Sequence, residues 1–316
     1  MTGRFGFRET GRPRHSFTSS TFPEAHSRMY IIEPKQKYFV GIDSDGCVFD
    51  TMELKHKECF IPNIIKYYNL QSISKYAREA AEFVNLYSKS RGINRFPALV
   101  EALEWLQKRP EVQARGVEIT IPQSLRDWIA TETKLGNPAL KAKVDAEGDP
   151  DLTHALEWSE KVNKTVSEFV HGVPPYPMVR ESLEKLAGQA DMLVCSATPN
   201  EALTAEWNEH DVAKYVTAIC GQESGNKKET LANAAKYDKD HSLMIGDAPG
   251  DYKAAVANDC LFYPINPGEE EASWQRFHDE AIDRFLGGSF AGEYQQKLLE
   301  EFDSFLPEKP KWRVVG

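Results

Sequence analysis

Between residues 173 and 265 short apolar runs alternate with amphipathic stretches, and that alternation constrains the fold more than any other feature. Met192-Leu193-Val194-Cys195, Val216–Cys220, Leu243-Met244-Ile245 and Leu261-Phe262-Tyr263 read as strands. Pro174-Pro175-Tyr176-Pro177 leads into a helix over Met178–Leu186. Further helices are expected from about Pro199 to His210, over Lys227–Tyr237 and from about Gly250 to Ala257. Strands joined by helices of this length build a parallel sheet with right-handed crossovers. The apolar run Tyr38-Phe39-Val40-Gly41-Ile42 adds a strand upstream. The expected fold is α/β, a doubly wound parallel sheet, whose ligands bind outside the carboxyl ends of the strands.

Three of those ends carry polar residues. The first strand stops at Asp43-Ser44-Asp45-Gly46. Strand alternation puts Asp43 and Asp45 on one side, where two carboxylates repel each other and are costly to desolvate. A cation, a nucleophile or a proton shuttle would account for them. So would a plain turn or a calcium loop. The second strand ends at Ser196-Ala197-Thr198-Pro199-Asn200, and Gly225-Asn226-Lys227-Lys228 opens a later helix. The strand Leu243–Ile245 ends at Gly246-Asp247-Ala248-Pro249-Gly250-Asp251.

This order of Asp-x-Asp, strand-terminal Ser, Lys and Gly-Asp-x-x-x-Asp resembles the haloacid dehalogenase superfamily, whose members are mostly magnesium-dependent phosphatases. The resemblance covers about residues 36–50 and 173–265 and implies a Rossmannoid core. It implies Asp43 as the nucleophile that forms an aspartyl-phosphate. Asp45 would be the general acid and base and would lend its main-chain carbonyl to the metal. Dehalogenases and P-type pumps lack that second carboxylate, so Asp45 favours phosphatase or phosphotransferase chemistry. Asp43, Asp45, Asp247 and Asp251 would hold Mg2+. Taken alone, Asp247 or Asp251 is equally a helix N-cap. Ser196 would bond a phosphoryl oxygen, with Thr198 as second candidate or as the cap of its helix. Lys227 or its neighbour Lys228 would neutralise the nucleophile and the phosphoryl group.

Residues 51–172 are too long for a loop in a compact domain. Their apolar spacing is helical: Leu99, Leu103 and Leu106; Leu125, Trp128 and Ile129; Leu156, Val162, Val166 and Phe169. An α-helical insertion is expected, and the resemblance makes it a cap over the active site. Within it Lys89, Arg91 and Arg95 flank Gly92 and are candidates for binding the substrate's non-transferring part. Cations at a helix end explain them equally well. Lys55 and Lys57 follow the first motif, and one of them could also face the cleft. Residues 266–316 carry two apolar stripes, Trp274, Phe277, Ala281 and Phe285, then Leu298, Phe302 and Phe305. They are expected to form a helical extension packed on the core, or a homodimer face.

Residues 1–29 have no apolar periodicity and lack the apolar stretch of a signal peptide. A disordered tail is expected, with Met29 as an alternative start. A targeting role for Arg4, Arg8, Arg12 and Arg14 is weakened by Glu9 and Glu24.

The chain has 316 residues and a net charge of −10, which argues against nucleic acid or an anionic membrane as partner. No stretch reaches the roughly 20 apolar residues of a membrane span. Cys47, Cys59, Cys195, Cys220 and Cys260 are scattered, as expected for reduced thiols in a cytoplasm. The combined expectation is a magnesium-dependent phosphohydrolase acting on a small phosphorylated metabolite. Rivals are a phosphomutase, a phosphonate hydrolase using a Schiff-base lysine, and a non-catalytic binding protein that retains the fold.

Overall fold

A computed structural model describes residues 31–314. The expected tail at 1–29, with Met29 and the four arginines, lies outside the described residues. Five parallel strands form the sheet: β1 (Tyr38–Ile42), β2 (Ala190–Cys195), β3 (Ala218–Cys220), β4 (Ser242–Gly246) and β5 (Leu261–Pro264). Their spatial order is β3-β2-β1-β4-β5. The chain therefore runs outward from β1 through β2 to β3, then returns to β4 on the other side of β1. That reversal is the topological switch point of a doubly wound sheet, where a crevice opens at the strand ends.

The five residues of β1 are all buried, because β1 is central and covered on both faces. Val40 and Ile42 pack with Met192, Val194, Leu243 and Ile245 on one face, and Phe39 packs with Leu193, Met244 and Phe262 on the other. Helices cover both sides. They are α9 (Val179–Leu186), α10 (Asn200–Glu209), α11 (Lys227–Leu231) and α12 (Pro249–Val256), following eight helices of the insertion. The helix expected over Lys227–Tyr237 is α-helical only to Leu231, and a 3-10 stretch, Ala232–Lys236, completes it.

Every regular element between β1 and β2 is helical. In order these are α1 (Thr51–Leu54), α2 (Ile61–Tyr67), α3 (Ser74–Leu86), α4 (Arg95–Gln107), α5 (Pro110–Gln113), α6 (Gln123–Thr131), α7 (Asn137–Glu147) and α8 (Pro150–Phe169), followed by α9. A π-helical stretch, Lys55–Phe60, joins α1 to α2 without a break. Leu99, Leu103, Leu106, Leu125, Trp128, Leu156 and Val162 share a buried cluster built from residues 61 to 162, separate from the sheet's two clusters. The two chain segments that join this helical body to the sheet lie side by side. The N–H of Tyr176 bonds to the main-chain oxygen of Val48 at 2.9 Å, and Phe49 bridges Pro175.

After β5 come α13 (Glu270–Arg276), α14 (Ile282–Leu286) and α15 (Glu293–Phe305). Trp274, Phe277, Ile282 and Phe285 are buried against the β1 and β4 side chains, and Phe302 lies with Phe262 on the opposite face. The indole N–H of Trp274 bonds to the main-chain oxygen of Cys47 at 2.7 Å, which ties this segment to the loop after β1. No helix among the described residues is long and apolar enough to cross a membrane.

Candidate active site

Asp43 is the first residue past β1, and its N–H still bonds to the oxygen of Ile245 on β4, at 3.0 Å. Its Oδ1 accepts the N–H of Ser44 at 2.8 Å, and its Oδ2 lies 2.6 Å from Nζ of Lys227. Asp247 follows β4, and Asp251 sits in the first turn of α12. One oxygen from each of Asp43, Asp247 and Asp251 lies within 4.8 Å of the others, and all three residues are buried. Strand ends that are distant in sequence thus converge on one cleft.

Asp251 does two things at once. Its Oδ2 accepts the N–H groups of Asp247 and Ala248 at 3.2 and 3.1 Å, which satisfies the start of α12. Its Oδ1 lies 2.5 Å from Nζ of Lys227. Asp247 does not cap: its Oδ2 bonds to Arg91, and its Oδ1 is buried with no hydrogen-bond partner among the described residues. Gly246 permits the approach, because a Cβ there would lie 2.5 Å from that of Asp251.

Asn226 and Glu229 form a capping box at the start of α11, each side chain bonding to the other's N–H. It sets the helix so that Lys227 enters the cleft while Lys228 is exposed. Burial works against the Lys227 charge, but Asp251 and Asp43 hold its pKa well above the ordinary value. Burial pushes the Asp43 carboxyl well up; Lys227 pulls it back, and Asp251 and Asp247 push it further. Three carboxylates here face two cations, Lys227 and Arg91. The unsatisfied Asp247 Oδ1, the surplus negative charge and an all-oxygen donor set fit a hard divalent cation.

Asp45 lies beside this cluster and is held by four hydrogen bonds. Nζ of Lys55 reaches both of its oxygens at 2.7 Å, and the hydroxyls of Thr51 and Thr198 donate at 2.6 and 2.8 Å. Burial alone would raise its pKa; Lys55 outweighs that, with help from Thr51 and Thr198, and holds it at about 2. Thr198 therefore bonds to Asp45 rather than capping α10, whose first N–H group (that of Asn200) goes to Glu223. Ser196 is buried at the end of β2, and its Oγ accepts the N–H of Thr198 at 3.1 Å.

The three cations of the insertion go to three different places. Arg91 is buried, with Nε and Nη2 on Asp247 and Nη1 on the main-chain oxygen of Leu86. Lys89 pairs with Asp303 of α15. Arg95 bonds to Ser159 and Asn163 of α8. Of the two lysines after the first motif, Lys55 faces the cleft, and Lys57 pairs with Glu53 along its own helix. Gly46 has φ +77°, and a Cβ on it would lie 2.7 Å from Nη2 of Arg91 and 2.9 Å from Oδ2 of Asp247. The glycine of Asp-x-Asp-Gly is thus what lets the insertion's arginine reach β4.

Sequence reasoning did not single out Thr51, His56 or Glu206. Thr51 opens α1 six residues after Asp45, beyond a non-helical turn, and no local spacing marks it. Glu206 had no local signal: only the packing of α10 brings its Oε2 within 3.4 Å of the Ser44 hydroxyl, while Trp207 donates to the same hydroxyl at 3.0 Å. Burial, then the charge of Asp45, pushes the Glu206 carboxyl up to about 7.

A family model described as haloacid dehalogenase-like hydrolase matches residues 133–263, the part that holds Ser196, Lys227, Asp247 and Asp251. No curated protein matches the chain significantly. Among solved structures, a provisionally named phosphoglycolate phosphatase from Lactobacillus delbrueckii subsp. bulgaricus is 14% identical, with a TM-score of 0.45, covering 79% of this chain and 98% of its own. A haloacid dehalogenase-like family protein from Streptococcus pneumoniae is 12% identical, with a TM-score of 0.43 and coverages of 77% and 91%. One from Xanthomonas campestris is 11% identical, with a TM-score of 0.42 and coverages of 83% and 97%. Residues 133–263, which carry the Ser, Lys and Gly-Asp-x-x-x-Asp motifs on the expected strand and helix ends, are thus similar to the haloacid dehalogenase-like hydrolases, and Asp43 joins those motifs from β1.

Proposed function

We propose that the protein is a magnesium-dependent phosphohydrolase acting on a small phosphorylated metabolite. The observation that carries this reading is the placing of Asp43: at the end of the central strand, 2.6 Å from Lys227 and clustered with Asp247 and Asp251. An Oδ of Asp43 attacks phosphorus, and the bond from phosphorus to the leaving alcohol breaks. Asp45 gives that alcohol a proton. Water then attacks the aspartyl-phosphate, Asp45 takes a proton from the water, and the bond to Asp43 breaks to release inorganic phosphate. Lys227 holds positive charge beside the transferred group throughout, and Ser196 donates to one of its oxygens.

Asp43, Asp247 and Asp251, with the main-chain carbonyl of Asp45, would hold Mg2+, which when bound offsets the charge of the carboxylates and phosphate. Lys55 keeps Asp45 ionised, the state required of the base. For Asp45 to serve as acid, Lys55 has to leave it when the substrate enters.

The helical insertion is read as a cap, since it brings Lys55 and Arg91 directly onto Asp45 and Asp247. The five free, buried cysteines support a reducing, cytoplasmic setting. The test is turnover of p-nitrophenyl phosphate with magnesium and with excess chelator. Full activity in chelator, or none in magnesium with this and a panel of phosphorylated metabolites, would end this reading.

A further inference from the structure

Arg95 opens α4, and its surroundings are unusual for a cation. A guanidinium drawn from water needs acceptors or an aromatic face. Nη1 of Arg95 donates to the main-chain oxygen of Ser159 at 3.2 Å, to Oγ of Ser159 at 3.0 Å and to Oδ1 of Asn163 at 2.6 Å. All three acceptors are neutral. Cζ lies 5.0 Å from the centroid of the Phe60 ring. Among the described residues no carboxylate pairs with Arg95, and no hydrogen bond runs from Nε or Nη2. Those two groups form the edge that receives a carboxylate or phosphoryl group side-on. Burial lowers the arginine's pKa to about 10, a measure of how poorly its charge is compensated.

His56 lies on the same aromatic ring, its centroid 4.7 Å from that of Phe60. Its Nδ1 is buried with no hydrogen-bond partner among the described residues. Burial first, then the charges of Arg91, Lys55 and Arg95, push its pKa down to about 3, against the pull of Asp45. Lys55 and Arg91 already have carboxylate partners in Asp45 and Asp247. Arg95 does not. His56 follows Lys55 directly, so this free cation and unpartnered imidazole adjoin the residue that reaches the proposed acid and base.

We propose that Arg95, His56 and Phe60 form a subsite for a second anionic group of the substrate, a carboxylate or a phosphoryl group. The preferred substrates are then phosphate monoesters that carry another oxyanion. Phe60 supplies the flat wall that orients both partners, Arg95 offers the two-pronged edge, and His56 contributes a further polar contact. This rests on the phosphohydrolase reading and narrows it.

The test compares matched esters by kcat/KM: 3-phosphoglycerate with glycerol 3-phosphate, 6-phosphogluconate with glucose 6-phosphate, and fructose 1,6-bisphosphate with fructose 6-phosphate. The first two pairs probe a carboxylate and the third a second phosphoryl group. At least one doubly anionic member should exceed its partner by about tenfold or more, on the scale of a hydrogen bond to a charged group. Arg95→Gln should collapse that ratio by roughly 10–100-fold, chiefly through KM, and Arg95→Lys by less, since it keeps charge without the fork. His56→Phe, which retains an aromatic ring beside Phe60, should narrow the ratio too and serves if the Arg95 variants do not fold. Calorimetric titration of 3-phosphoglycerate, 6-phosphogluconate and fructose 1,6-bisphosphate, each against its partner, into the Asp43→Asn protein reads the same preference without turnover. Absence of turnover with a retained binding preference would overturn the hydrolase reading alone. No preference in any pair, or a preference that survives Arg95→Gln, would overturn the subsite.

Discussion

Nε and Nη2 of Arg91 both reach Oδ2 of Asp247, at 2.8 and 2.7 Å, and join the helical insertion to the end of β4. Both side chains are 1% exposed. Removing one partner of such a pair leaves an uncompensated buried charge, which costs about 3–5 kcal/mol. Arg91→Met should therefore lower unfolding stability by about that amount in denaturant titrations without metal. Saturating magnesium should recover part of the loss, because a cation at Asp247 replaces the missing charge. An equal loss with and without magnesium would mean that the metal does not bind at Asp247.

Metal binding itself should be visible as stability. A ligand that binds only the folded state at 100 times its Kd adds about 2.7 kcal/mol. Magnesium should raise Tm, and Asp247→Asn should abolish that rise. Chelator should remove activity and magnesium restore it. Calcium should not substitute in turnover, since its looser and higher coordination disfavours in-line geometry. A magnesium-dependent Tm shift that persists in Asp247→Asn would place the ion elsewhere.

The two aspartates of the first motif should separate by kind of defect. Asp43→Asn should abolish both turnover and the acid-stable phosphoenzyme. Asp45→Asn should lower turnover by about 10²–10⁴, the usual contribution of a proton-transfer group. Rapid acid quench after labelling with a ³²P-phosphorylated substrate decides the matter. Label retained on protein that lacks Asp43 would show that another residue is the nucleophile.

The adjacent lysines should differ just as clearly. Lys227 lies between Asp43 and Asp251, and Lys228 is exposed. Lys227→Ala should cut kcat by roughly 10²–10³, on the scale of losing one preorganised donor at the transition state. Lys228→Ala should leave the rate alone and shift stability by within ~0.5 kcal/mol. Parallel steady-state assays on one substrate suffice, and the reverse ranking would contradict the capping geometry of α11.

Glu206 makes stability depend on pH near neutrality. Its folded pKa is raised to about 7 from 4.5. A carboxyl raised on folding exacts no penalty below pH 4.5, where both states are protonated. The penalty grows as pH rises towards 7, because the unfolded chain ionises first, and it levels off above that. Glu206→Gln should thus be neutral at pH 4 and stabilising at pH 8. The expected gain is on the order of 3 kcal/mol at most, from the size of the shift. Urea titrations at the two pH values measure it, and a gain independent of pH would remove Glu206 from the account.

Asp43, Ser196, Lys227, Asp247 and Asp251 were all legible in the chain because each stands at a strand end or helix start that local pattern marks. An apolar run that stops at a glycine or a polar residue is a signal within about ten residues, and the capping pair Asn226 and Glu229 is another. The helical character of residues 51–172 was legible for the same reason: Leu99, Leu103 and Leu106 repeat at helical spacing. Side-chain direction within a local cluster was not. Lys89, Arg91 and Arg95 lie close in sequence, yet they end on Asp303, on Asp247 and on the Ser159–Asn163 turn of α8.

The order of elements, the polar strand ends and the candidate nucleophile were determined by sequence alone, since periodicity and turn chemistry are local. Which cation meets which carboxylate was decided only in three dimensions. Arg91 and Asp247 are 156 residues apart, and Thr198 reaches Asp45 across 153. Those pairings depend on how the insertion folds back over the sheet and on a glycine, Gly46, that leaves room for it. Charges separated so far along the chain have no reason to pair until packing excludes water and leaves each buried group to its nearest opposite.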